Sequence, residues 1–176
     1  MLNSHDGTSA YRLMSGVFRL ICLNGLIAGT MYQDVRVGHT GKVTEKVIEG
    51  AYTVIDQHKA IESSMGEMQE KVLTDHQARA FAIGATALRY DETVTTNEVV
   101  PDSLLRPRRT EDRRQDLWTV FNRVQENTVR GGFTKYSLNK EGRAVSRRQA
   151  GPVRNIDGLT AINRGLWAMA EALKSA

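Results

Sequence analysis

Cysteine occurs once in this chain, at Cys22, so no disulfide within the chain is possible and a reducing compartment is expected. Long hydrophobic runs are also missing. Residues 20–30 are apolar, but Asn24-Gly25 interrupts them, and the run stays far below the ~20 apolar residues of a membrane span. The first residues carry neither a basic leader nor a small-residue cleavage site, so a cytoplasmic protein without membrane contact is expected. No GxxxxGK followed by Ser or Thr is present, and no GxGxxG follows a strand, so nucleotide hydrolysis and hydride transfer lack support. The four histidines, His5, His39, His58 and His76, form neither HxxxH nor HExxH, and Cys22 has no CxxC partner. No metal, no cofactor and no catalytic residue is therefore assigned. His5-Asp6 reads as turn chemistry, because neighbours in an extended chain point to opposite faces and Asp-Gly beside Ser4 and Thr8 favours a turn.

What is present is an ordinary globular composition. The 176 residues are 40% hydrophobic and 25% charged, consistent with one domain. The net charge of +4 conceals an asymmetry. Residues 101–155 hold 13 Lys or Arg against 6 Asp or Glu, whereas the remainder holds 11 against 14. A basic block of this kind attracts phosphates.

Residues 1–40 read as strand-rich. Val35-Arg36-Val37 is one short strand, and Asn24-Gly25 is a hairpin signal between Val17–Leu23 and Leu26–Thr30. Met14, Val17, Phe18, Ile21 and Cys22 also satisfy helical spacing; the β-branched and aromatic residues before the turn favour strands. Residues 41–130 read as helical. Val43, Val47, Ile48, Ala51 and Ile55 share one face, and Ile61, Met65, Met68 and Val72 continue it. Thr74-x-x-Gln77 forms a capping box ahead of a stripe of Ala78, Phe81, Ala85 and Leu88. After a connector over 91–109, Thr110 or Asp112 caps a helix with Leu117, Phe121, Val124 and Thr128 on one side, ending at Gly131-Gly132. Residues 131–153 read as a basic loop, and 155–176 as a C-terminal helix introduced by Asp157-Gly158. The expected fold is α+β: a small antiparallel β region at the N-terminus followed by a mainly α-helical C-terminal part.

The basic block supplies the candidate binding residues: Arg106, Arg108, Arg109, Arg113, Arg114, Arg130, Lys135, Arg143, Arg147 and Arg148. Arginines hold phosphate in a bidentate fork, and Phe133 and Tyr136 nearby suit stacking on unpaired bases, so single-stranded nucleic acid is the favoured partner. The competing reading pairs some of these arginines with Glu111, Asp112, Asp116 and Glu126 on a helix surface.

Four segments carry a resemblance: LNSHDGTSAYRLMSGVFRLICLNGLIAG, VRVGHTGKVTEKVIEGAY, RRTEDRRQDLWTVFNRVQENTVRGG and NIDGLTAINRGLWAMAEAL. Together they resemble the YafZ/YfjQ/YubP-like phage- and plasmid-like proteins, built on domain of unknown function 932. The resemblance implies a prophage or plasmid setting and no defined activity. It also implies a longer parent, of which this chain is the C-terminal two-thirds, beginning inside a strand. The positions matching the family's motifs, of unknown role, are Asn3, His5, Asp6, Gly7, Arg19, Cys22, Asn24, His39, Gly41, Trp118, Gln125, Asn127 and Trp167. The two tryptophans are expected in the core. Gln125, Glu126 and Asn127 either line a polar site beside Arg130 or form the polar face of a helix.

Three functions follow as expectations. The preferred one is a nucleic-acid-binding accessory in DNA replication, recombination or transfer. The second is an anti-defence interaction protein that binds a host protein complex. The third is a hydrolytic enzyme using His5, Asp6 and His39.

Overall fold

The computed structural model describes residues 11–14, 34–37, 44–45, 48–49, 52, 58–90 and 99–176. They fall into two units, Met1–Ser64 and Met65–Ala176. In the first unit, strand β1 (Tyr11–Met14) pairs antiparallel with β2 (Asp34–Val37), Tyr11 opposite Val37 and Met14 opposite Asp34. The expected strand Val35-Arg36-Val37 lies within β2. The strands expected over 17–30 lie outside the described residues. Helix α1 spans His58–Glu70.

The second unit is built around one helix. Helix α3 (Leu117–Arg130) is buried at every position from Leu117 to Val129. Its start is set by Asp116, whose carboxylate accepts from the Thr119 backbone N–H and from the Thr119 hydroxyl, both at 2.9 Å. The cap thus falls at Asp116 rather than at Thr110 or Asp112, because Glu111–Arg113 is a separate 3-10 turn. Helix α2 (Asp75–Tyr90) and helix α4 (Ile156–Lys174) pack on α3 and on each other. Phe121 is the hub. It stacks on Trp118 at 5.6 Å, meets Trp167 edge-on at 5.9 Å, and lies 6.3 Å from Phe81. Each aromatic pair adds about 0.5–1.5 kcal/mol beyond the area it buries. Ala82, Ala85, Val120, Val124, Leu166 and Ala170, on the same three helices, are fully buried. Both tryptophans are therefore core residues.

The capping box of α2 forms as expected. The Thr74 hydroxyl accepts from the Gln77 N–H at 3.2 Å, and the Gln77 side chain accepts from the Thr74 N–H at 3.0 Å. Helix α4 lies within the expected range 155–176, its cap two residues ahead of Asp157. Asn155 is its cap and accepts from the Gly158 N–H at 2.7 Å.

Residues 131–153 are not a loop. Strand β3 (Thr134–Leu138) and strand β4 (Ala144–Gln149) form an antiparallel hairpin, with Thr134 opposite Gln149 and Ser137 opposite Ser146. A bulge follows, after which Leu138 faces Ala144. At the tip, Asn139 accepts from the N–H groups of Glu141 and Arg143, and Gly142 has φ +75°. This two-stranded sheet lies behind α1, α2 and α3, in the C-terminal half. It overturns the expected order of N-terminal strands followed by helices. The physical reason is exposure. Strand patterning reveals itself when one face is buried, and here most of β4 is in water, so Ala-Val-Ser-Arg-Arg-Gln shows no alternation.

Candidate functional site

Nine of the ten basic candidates sort into two populations, and Lys135, half-buried over Tyr90, stands apart. The first is bonded to neighbouring groups of the fold, although Arg108, Arg114 and Arg130 themselves remain exposed. The Arg109 guanidinium donates to both carboxylate oxygens of Glu126, at 2.7 and 2.9 Å, and reaches Asp112 at 3.3 Å. Arg130 pairs with the same Glu126 at 3.1 Å, and Arg114 with Asp116 at 3.1 Å. Arg108 donates through Nε to Asn127 at 2.7 Å and through Nη2 to the Gly131 carbonyl at 3.0 Å. Arg123, outside the candidate set, is 6% exposed and donates to the Asp112 carbonyl and to Gln115, each at 2.8 Å. Burial lowers its pKa, against the pull of Asp112 and Asp116.

These contacts explain why a polar helix face can be buried. The connector over 99–116 lies on α3, and α3 satisfies it. Asn127 donates to the carbonyls of Leu104 and Arg106 at 2.8 and 2.9 Å. Asp112 accepts from the backbone N–H groups of Arg108 and Arg109. On another side of α3, Gln125 donates to Asn163 of α4 at 2.8 Å. The motif residues Gln125 and Asn127 are thus both buried, on different sides of α3, each bonded to a neighbouring element. The other motif residues Asn3, His5, Asp6, Gly7, Arg19, Cys22, Asn24, His39 and Gly41 lie outside the described residues.

The second population is exposed. Arg106, Arg113, Arg143, Arg147 and Arg148 make no ion pair among the described residues. Three of them stand on the hairpin. With Lys135 and Lys140, they give residues 133–150 five cations against the single carboxylate of Glu141. Register sets their directions. Arg147 lies opposite Tyr136 on one face, and Arg148 opposite Lys135 on the other. The Lys135 ammonium rests 4.4 Å from the Tyr90 ring centroid, so that second face is turned toward α2 at its base. Arg147 donates to the Thr134 hydroxyl at 3.4 Å.

The hairpin root is pinned to the C-terminus of α3. Gly132 donates to the Ala150 carbonyl at 2.8 Å, Ala150 to the Phe133 carbonyl at 2.9 Å, and Val153 to the Val129 carbonyl at 2.8 Å. Arg89, which the sequence did not single out, bonds the carbonyls of Thr128 and Gly151. Its guanidinium also lies 5.0 Å from the ring centroids of both Tyr90 and Phe133. Burial lowers the Arg89 pKa and pushes the Tyr90 phenol above its ordinary value, with each residue's charge opposing the other's shift. The only hint in the sequence was a basic residue in the last turn of a helix, a position that favours bonds to carbonyls. Across the strand, Val99 bridges to Lys135.

A cleft of about 660 Å³ lies beside this root, lined by Arg106, Arg108, Asn127, Gly132, Phe133 and Thr134. Phe133 is 5% exposed and meets Tyr90 edge-on at 6.3 Å, so it does not present a face for stacking. Among the described residues, no group of three or more His, Cys, Asp or Glu could hold a metal ion. No helix of the described residues is long and apolar enough to cross a membrane.

The sequence profile of a domain of unknown function, DUF932, matches residues 1–167. The chain is 42% identical over 173 residues to the UPF0380 protein YafZ of Escherichia coli strain K12, and equally to the UPF0380 protein YfjQ of that strain. Each alignment takes in 98% of this chain and 61% of the relative, so the chain spans about three-fifths of the length of these relatives. No solved structure matches it. On a profile match over most of its length and two such relatives, the chain belongs to the DUF932 family, whose function is unknown.

Proposed function

We propose that this chain is a nucleic-acid-binding accessory, of the kind that serves DNA replication, recombination or transfer, and that the β3–β4 hairpin is its contact surface. The observation that carries the reading is the hairpin itself: five cations, one carboxylate, and three arginines free of ion pairs among the described residues. Arginines without an ion-pair partner have donors to offer phosphate oxygens. Each phosphate neutralised releases counterions, so affinity falls steeply with salt, with a log–log slope of about −0.9 per phosphate on a duplex. A pinned root also lowers the entropic cost of binding, because the arm is ordered before it meets its partner. The mobile-element setting comes from the family resemblance alone.

The test is fluorescence anisotropy of the purified chain with labelled oligonucleotides, single-stranded and duplex, at low and moderate salt. Salt-sensitive binding is expected, and it should be lost when Arg143, Arg147 and Arg148 are all changed to Glu. Binding that survives this triple change, or none at all from a folded sample, overturns the proposal.

A further inference from the structure

We infer that the hairpin enters the major groove of duplex DNA. This rests on the nucleic-acid reading above and replaces the preference for single strands. That preference leaned on Phe133 and Tyr136 as stacking platforms. Phe133 is buried against Tyr90, and Tyr136 is half-buried and faces Arg147 across the strand pair. Single-strand binders depend on exposed aromatic faces, and the hairpin presents none that is fully open.

The arm has instead the form of a groove reader. Among the described residues its sheet has two strands, joined on one side by the Val99 bridge near the root. Two strands spaced about 4.8 Å apart fit the B-DNA major groove, which is about 12 Å wide and admits a two-stranded ribbon. The deep, narrow major groove of duplex RNA does not admit one. On β4, Arg147 and Gln149 are two positions apart and share one face with their cross-strand partners Tyr136 and Thr134, and both are exposed. Arginine pairs with the O6 and N7 atoms of guanine, and glutamine with N6 and N7 of adenine. Val145, at the bulge, is 63% exposed, an apolar group suited to a thymine methyl. Arg143 at the tip and Arg148 on the other face are placed for the flanking phosphates. The cleft beside Thr134, with Arg106 on its wall, gives one phosphate ridge a place to lie.

The experiment is selection of the intact chain against a random-sequence duplex library, followed by dimethyl sulfate footprinting on the selected duplex. Methylation reports guanine N7 in the major groove and adenine N3 in the minor groove. Protection of guanine N7 is expected, with duplex bound tighter than single strand. Arg147→Ala should erase preference for the selected over a random duplex. Arg148→Ala should weaken both duplexes equally and reduce the salt slope by about one. Protection confined to adenine N3, or tighter binding to single strands, overturns the groove assignment and leaves nucleic-acid binding standing. No binding to either form overturns both.

Discussion

Arg109 holds Glu126 with both terminal nitrogens of its guanidinium, at 2.7 and 2.9 Å, across seventeen positions of sequence. Glu126 also receives Arg130, so one buried carboxylate anchors two cations. Its side chain is 3% exposed, whereas that of Arg109 retains 23%. The pair joins the connector to α3, and it is a fold contact made by residues that read as a binding motif.

Removing the carboxylate should therefore unbalance the fold. Glu126→Ala takes away the partner that Arg109 and Arg130 share, leaving Arg109 with Asp112; such a loss costs about 3–5 kcal/mol for fully buried pairs. Because Arg109 and Arg130 can turn partly toward water, about 3 kcal/mol is expected here. Arg109→Lys keeps the charge but loses the fork, and should fall between wild type and Glu126→Ala. Urea denaturation reads both. A Glu126→Ala stability within about 1 kcal/mol of wild type would place the pair among weak surface bridges instead.

Gly131 makes a second prediction. It has φ +72° and ψ −146°, a region open essentially to glycine alone. A Cβ there would collide with the backbone carbonyls of Ala150 and Gly151, which cannot swing aside as a side chain can. Gly131→Ala should cost at least about 1–3 kcal/mol from backbone strain, before the collision is counted. Gly142 also has a positive φ but has open space around it, so Gly142→Ala should cost only the strain. Thermal denaturation of the two variants should rank Gly131→Ala as clearly the less stable. Equal losses would show that contact with the hairpin root contributes nothing.

How much of this was legible depends on whether the cause was local. The α2 capping box is a three-residue reach, and Thr74 with Gln77 announces it. The end of α3 follows from Gly131-Gly132, and the burial of Trp118 and Trp167 from their size. The hairpin was missed because β4 is exposed at all but one position and lacks alternation, while β3 is only five residues long; only Asn139 and Gly142 marked its turn. The position of the α3 cap was missed because the Asp112 carboxylate bonds Arg108 and Arg109 rather than the helix start. That choice is tertiary, as are the partners of Arg108 and Arg109 in α3, and no spacing rule reaches them.

The α2–α4 crossing offers a third test. The two helices exchange side chains at glycines: Met169 of α4 lies against Gly84 of α2, and Leu88 of α2 lies against Gly165 of α4. Glycine inside a helix costs about 1 kcal/mol relative to alanine, so both substitutions gain propensity. Their packing terms differ. At Gly84 a new Cβ meets only the flexible end of Met169, which can rotate away. At Gly165 it meets the branched head of Leu88, including Cδ1 at 2.7 Å and Cγ at 3.1 Å. Overpacking costs about 1–3 kcal/mol where neighbours cannot yield, and Leu88, 38% exposed, can yield only by moving its whole branched head. Gly84→Ala should therefore be near neutral, and Gly165→Ala a net loss of about 1 kcal/mol. The reverse order in chemical denaturation would refute the account.

The last prediction separates the two populations of arginine. Charge reversal at Arg109 places a carboxylate against Glu126 and Asp112, both buried, so Arg109→Glu should lower the melting temperature sharply. Any loss of nucleic-acid binding in that variant would then report unfolding. Arg147→Glu and Arg148→Glu alter exposed side chains that hold no ion pair among the described residues, so each should change stability by less than about 0.5 kcal/mol. If the hairpin is the contact surface, these two variants lose affinity while the melting temperature holds. Circular dichroism melts and anisotropy titrations on the same samples decide the matter. Loss of affinity confined to Arg109→Glu and in step with unfolding, with Arg147→Glu and Arg148→Glu binding like wild type, would return the hairpin charges to the role of a solvated arm.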